Sequence, residues 1–174
     1  MVEQAERSYE VYIDLATGLY DRRTMWSRLA EEVARARRYN YPLSLMLITV
    51  ETTDSSGTVE RLLALAKALK QHTRTADILV RYSEDTLALL LPCTDEDGAL
   101  QLAERICDMA QVMLPSASGS GSAHPIRIGV TSTSGEYSGD KVALVEQIEW
   151  ALRKAQRKGN ESRTLVVPAP QDAS

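Results

Sequence analysis

Arginine and aspartate three residues apart occur twice in this chain, as Arg74-Thr-Ala-Asp77 and as Arg105-Ile-Cys-Asp108. The first pair falls where a helical pattern gives way to an apolar strand pattern. One reading of it is an ordinary surface ion pair at a helix-to-strand turn, which is worth little. Asp85 lies between two short apolar runs, where an aspartate suits a turn better than a metal site. His72 and His124 stand alone. The two cysteines, Cys93 and Cys107, are too few for a disulfide framework and lack metal-ligand spacing. They read as buried reduced thiols of a cytoplasmic protein. No catalytic triad, metal cluster or phosphate loop is legible.

The elements that must position these residues follow from periodicity and breakers. The N-terminal 1–13 reads as a helix or connector, and Asp14 to Asp21 as a turn-rich segment around Gly18. From Arg23 to Arg38, apolar Met25, Trp26, Leu29, Val33 and Ala36 recur at helical spacing, and Pro42 stops the pattern. Trp26 and Trp150 both read as core or interface residues. Leu43 to Val50 is an apolar run of strand length, and Val59 to Leu69 is helical again. Ile78 to Tyr82 and Thr86 to Leu91 have hairpin spacing across Ser83-Glu84-Asp85. Asp95 to Met113 is a second long amphipathic helix, with Thr94 or Asp95 as its N-cap. A Ser/Gly-rich loop (Pro115 to Ala123) leads to a strand at Ile126 to Thr131. The last elements are a helix over Asp140 to Lys158, closed by Gly159, and a strand at Thr164 to Val167. Hairpin pairing alongside helical crossovers implies an α/β (α+β) fold, with a mixed central sheet flanked by helices. One domain over 14–167 is expected, with a disordered tail at 168–174.

Composition narrows the function classes. With 44% hydrophobic and 25% charged residues in 174, the chain can build one sizeable core. A formal net charge of −4 offers no basic field for a nucleic acid or an anionic membrane. The longest apolar runs, such as Leu87 to Leu91, are far shorter than the roughly 20 residues of a membrane helix. The polar N-terminus is unlike a secretory signal, so a cytoplasmic domain without membrane insertion is expected.

Four segments in order resemble the GGDEF (diguanylate cyclase) family. Asp14-Leu-Ala-Thr-Gly-Leu-Tyr-Asp-Arg-Arg23 resembles its D-x-L-T-G-L-x-N-R-R motif. Arg81-Tyr-Ser-Glu-Asp-Thr-Leu87 is similar to the R-Y-G-G-D-E-F hairpin, and Ile126-Arg-Ile-Gly-Val130 to the S-I-G-V strand. Ala151-Leu152 through Ala155 to Gly159 is similar to the A-L-Y-x-A-K-x-x-G-R-N helix end. The resemblance spans Asp14 to Val167 and implies a nucleotidyl-cyclase-like fold.

Enzymes of that family hold two divalent cations between carboxylates, which activate one GTP for in-line attack on another. Against this pattern the chain has departures. Thr49 stands at the carboxylate that closes the first long strand, and Thr86 at the second acidic position of the signature. Ser83 and Glu84 replace its two glycines, where a side chain fills space the nucleotide needs. Asp85 keeps one carboxylate. Gln156 aligns with the phosphate-binding lysine, and Asn160 with the arginine of G-R-N. These departures lead to the expectation that the chain is not an enzyme and binds no metal or other cofactor.

The resemblance also implies a separate site for the family's product, cyclic di-GMP. An R-x-x-D motif lies a short distance before the signature, joined by an arginine on the next helix. Arg74, Asp77 and Arg105 stand in that register, with Arg81 a possible accessory. Arginine can pair with the O6/N7 edge of guanine, and aspartate can accept from its N1 and N2 donors. Two functions follow as expectations. The first is a cyclic di-GMP receptor acting through a homodimer or a partner signalling protein. The second is a nucleotide-independent interaction module that docks through its N-terminal helix (Val2 to Ile13).

Overall fold

A computed structural model describes residues 11–51, 57–114, 125–137, 139–157 and 164–168. Strand β1 (Tyr20–Asp21) leads into helix α1 (Arg22–Tyr39), followed by β2 (Leu43–Val50) and α2 (Thr58–His72). The hairpin β3 (Ile78–Arg81) and β4 (Thr86–Pro92) precedes α3 (Glu96–Met113). Then come β5 (Ile126–Thr133), α4 (Lys141–Arg157) and β6 (Thr164–Pro168). The strands form one six-stranded sheet in the order β1-β3-β4-β2-β5-β6. β2 runs antiparallel to both β4 and β5, while β1–β3 and β5–β6 are parallel pairs. The sheet is mixed, as hairpin plus crossovers require.

The period-2 alternation of strand side chains sends two apolar sets to opposite faces. Met46, Ile48 and Val50 of β2, with Leu87, Leu89 and Leu91 of β4, pack beneath α2 and α3. Leu43, Leu45 and Leu47, with Ala88 and Leu90, pack beneath α1 and α4. β2 is buried along its whole length, which is why its sequence is apolar at consecutive rather than alternate positions.

Local chemistry sets the helix ends. Asp21 accepts from the Thr24 N–H at 2.9 Å to cap α1, and Asp95 accepts from the Gly98 N–H at 2.9 Å to cap α3. Asn40 closes α1 in the left-handed region at φ 53°, which asparagine tolerates better than most residues. Thr73 turns extended after α2, and its N–H and hydroxyl both donate to the Leu69 carbonyl. Gly129 permits the close seating of α4 on β5. A Cβ there would lie 2.9 Å from the Leu152 nitrogen and 3.2 Å from the Ile148 oxygen.

Three local expectations change. β1 was not anticipated, because two residues carry no periodicity. Cys93 is exposed rather than buried, whereas Cys107 is buried. Of the two alternatives for Trp150, core or interface, the core one falls away, since it is 46% exposed and carries Lys154 over its ring, while Trp26 packs against the α1/α4 core. Most of the N-terminal connector, the Pro115–Ala123 loop and most of the tail lie outside the described residues.

Candidate functional site

α2 ends at His72, and a tight turn over Arg74 to Asp77 carries the chain into β3. The turn is fixed from both sides. The Asp77 N–H donates to the Arg74 carbonyl at 3.0 Å, and Asp77 Oδ2 accepts from the Arg74 N–H at 2.7 Å. Arg74 and Asp77 are therefore joined through backbone and carboxylate, not as a side-chain ion pair. Among the described residues the Arg74 guanidinium has no hydrogen bond or ion pair, and it is exposed. Burial raises the Asp77 carboxyl above its ordinary value, and the Arg74 N–H and guanidinium charge only partly oppose this.

α3 lies beside α2 on the same face of the sheet and brings Arg105 to this turn. Arg74, Asp77 and Arg105 line one cleft of about 190 Å³, with His72, Gln101 and Leu102 among its other walls. The Arg105 guanidinium is also exposed and without an ion pair among the described residues. The three residues singled out in sequence are thus brought together. His72, which sequence left as an isolated histidine, also lines the cleft, and its Nδ1 lies 2.8 Å from the Ala68 carbonyl. Only the packing of α2 against α3 could reveal it.

Arg81 takes another role. Its Nη1 donates to both carboxylate oxygens of Asp14 at 3.2 Å, and its Nε to the Ser83 carbonyl at 3.3 Å. Burial alone would raise the Asp14 carboxyl. The hydrogen bonds from Thr17 and Arg81, with the charge of Arg81, outweigh that and hold it below the ordinary aspartate range. Lys70 closes the same loop by donating to the carbonyls of Thr17 and Gly18 at 3.1 and 3.3 Å.

The remaining candidate positions gather at the far end of the sheet. Thr49 and Thr86 are paired across β2 and β4, with hydroxyl oxygens 2.7 Å apart and both side chains buried. Asp85 Oδ1 accepts from Ser83 Oγ at 2.7 Å and from Thr86 Oγ1 at 2.8 Å, so it binds its own turn. Ser83 and Glu84 are exposed at the hairpin tip. Arg127, opposite Thr49 on β5, is 5% exposed, with its Nε 3.9 Å from Glu51. Beside these hydroxyls and the committed Asp85 carboxylate, the same end of the sheet carries the carboxylates of Glu51 and Glu84. Gln156 is exposed on the last turn of α4, and Asn160 lies outside the described residues.

A mixed sheet with β2 at its centre, helices on both faces and a hairpin ending beside β2 defines the nucleotidyl-cyclase-like class. Residues 11–162 match the family model "Diguanylate cyclase, GGDEF domain", and the chain belongs to that family. It is 30% identical over 167 residues to diguanylate cyclase DosC of Escherichia coli K12, covering 91% of this chain and 36% of DosC. The chain thus spans about a third of that relative's length. Among solved structures it is similar to diguanylate cyclase SiaD of Pseudomonas aeruginosa, in complex with its activator SiaC. That match has a TM-score of 0.73 and 26% identity, covering 90% of this chain and 61% of SiaD. The fold is shared with the GGDEF domain of Caulobacter crescentus DgcB in complex with c-di-GMP. Here the TM-score is 0.75 at 16% identity, covering 90% of this chain and 96% of that one.

These relatives correct one expectation. The chain was expected not to be an enzyme, yet the relatives at 30% identity are named diguanylate cyclases. The non-enzyme reading does not stand. Among the described residues no helix is long and apolar enough to cross a membrane.

Proposed function

We propose that this GGDEF domain binds cyclic di-GMP in the cleft between the α2–β3 turn and α3, through Arg74, Asp77 and Arg105. One observation carries the reading: two exposed guanidiniums without ion pairs among the described residues face a carboxylate around a single cleft. A guanine needs that set, with an arginine for its O6/N7 edge and a carboxylate for its N1 and N2 donors. A second arginine serves the phosphates or stacks on the purine. The c-di-GMP complex of DgcB, a domain of the same fold, adds support. The ligand would act by bridging this surface to a second copy of the chain or to a partner signalling protein.

Calorimetric titration with cyclic di-GMP tests the proposal. Saturable binding is expected for the wild type and none for Arg74→Ala, with melting near wild type, because that side chain makes no hydrogen bond or ion pair among the described residues. Absence of heat with the wild type, and of any shift in its melting temperature, would overturn the reading.

A second reading, docking without nucleotide, draws on Val11, Ile13 and Leu15, which are exposed at 49%, 46% and 97% at the N-terminal side of the domain. An oligomeric state that cyclic di-GMP leaves unaltered in sedimentation would favour it.

A further inference from the structure

A second cleft, of about 220 Å³, adjoins the first along the α2/α3 seam. The two share His72, Leu102 and Arg105. Apolar Leu69, Ile106 and Met109 line it, and its polar lining is His72, Thr73, Arg105 and Asp108, the last its one carboxylate. Arg105 and Asp108 lie three residues apart on α3, so they project from neighbouring positions on one helix face. The second Arg-x-x-Asp of the sequence thus lines a cavity next to the first.

We propose that Asp108 is a base-reading residue for a second guanine, which lies in this cleft while the first occupies the cleft of Arg74 and Asp77. The inference rests on the cyclic di-GMP reading above and goes further, because it assigns each base of the dinucleotide its own acceptor. A purine is a flat apolar body with a polar edge, and the second cleft suits that form, with apolar lining residues and one carboxylate. Asp108 accepts from the guanine N1–H and N2–H. Arg105, on the shared wall, stacks between the bases or pairs with a phosphate. Adenine is disfavoured there because its N1 is an acceptor and faces the carboxylate without a proton between them.

The test is Asp108→Asn, titrated with cyclic di-GMP and with the mixed cyclic GMP–AMP dinucleotide. Glu104→Gln, an exposed α3 residue outside both clefts, is the control. The asparagine should weaken cyclic di-GMP on the order of tenfold, the scale of one lost bidentate pair. It should bind the mixed dinucleotide relatively better, because an amide can donate to adenine N1 and accept from N6. Glu104→Gln should change neither affinity. Wild-type binding of cyclic di-GMP with an Asp108→Asn variant unchanged in affinity and base preference would overturn this inference and leave the proposed function standing. No wild-type binding would overturn both.

Discussion

Asp77 holds the turn with one carboxylate oxygen, and in the proposed function its carboxylate also reads the ligand. Oδ2 fixes the turn by accepting from the Arg74 N–H, and the rest of the carboxylate faces the cleft. Its acidity is weakened by burial, so the folded pKa lies above the ordinary 3.8. Guanine recognition needs the ionised form, since a protonated carboxyl presents a donor where an acceptor is required. Affinity for cyclic di-GMP should therefore fall as pH drops from neutral through that raised pKa. The stability sign is opposite: a raised folded pKa favours folding at low pH and loses that contribution as pH rises through it. Asp77→Asn should then leave melting at neutral pH unchanged or slightly higher while flattening the pH profile of binding. Calorimetry across pH, paired with thermal melts, checks both. At the opposite pole, Thr86→Ala removes the hydroxyl shared by Thr49 and Asp85. A loss of about 1 kcal/mol or more is expected in urea unfolding, since the Thr49 hydroxyl would be left buried and unpaired.

Between elements, the decisive contacts are those that join distant parts of the chain. Asp14, in the opening loop, grips Thr17 and the Arg81 guanidinium, and so ties the start of the domain to the end of β3. Because its folded pKa is depressed, its contribution is present above the ordinary aspartate range and lost as pH falls below it. Asp14→Ala should cost about 1–3 kcal/mol at pH 7, as a half-buried arginine loses its partner. The loss should shrink on acidification, when the wild type also gives up the interaction. The seating of α4 on β5 depends on Gly129, where an added methyl meets helix backbone rather than a yielding side chain. Gly129→Ala should destabilise by about 1–3 kcal/mol, with α4 displaced. Comparing urea midpoints at unchanged m-value tests both variants.

For the molecule as a whole, one sheet with a core on each face predicts a single cooperative unfolding unit. Leu47→Ala and Leu89→Ala empty fully buried sites on opposite faces, each 1% exposed or less. Each should cost about 2–5 kcal/mol. Circular dichroism and tryptophan fluorescence, from Trp26 and Trp150 together, should report the same midpoint in both, and separate transitions would refute one cooperative domain. This architecture was largely legible in the sequence. Helix periodicity, the prolines and the apolar run of β2 locate the four helices and the longer strands within three residues at every end, because those signals are local. The Asp21 and Asp95 caps explain why α1 and α3 begin where they do, and the register of Arg74, Asp77 and Arg105 could be read before any coordinates. Other features could not. β1 is too short to carry a pattern. The exposure of Cys93 and Trp150 depends on what packs over them. The Arg81–Asp14 pair and the Thr49–Thr86 pair join residues far apart in the chain. The sequence by itself therefore determined the family and the elements, and it set the register of Arg74, Asp77 and Arg105 on which the proposed site rests. Only the tertiary structure decided that α2 and α3 lie side by side, so that His72 and Asp108 join these residues along one seam. Periodicity and capping act within a few residues, whereas a cleft exists only where separate elements pack.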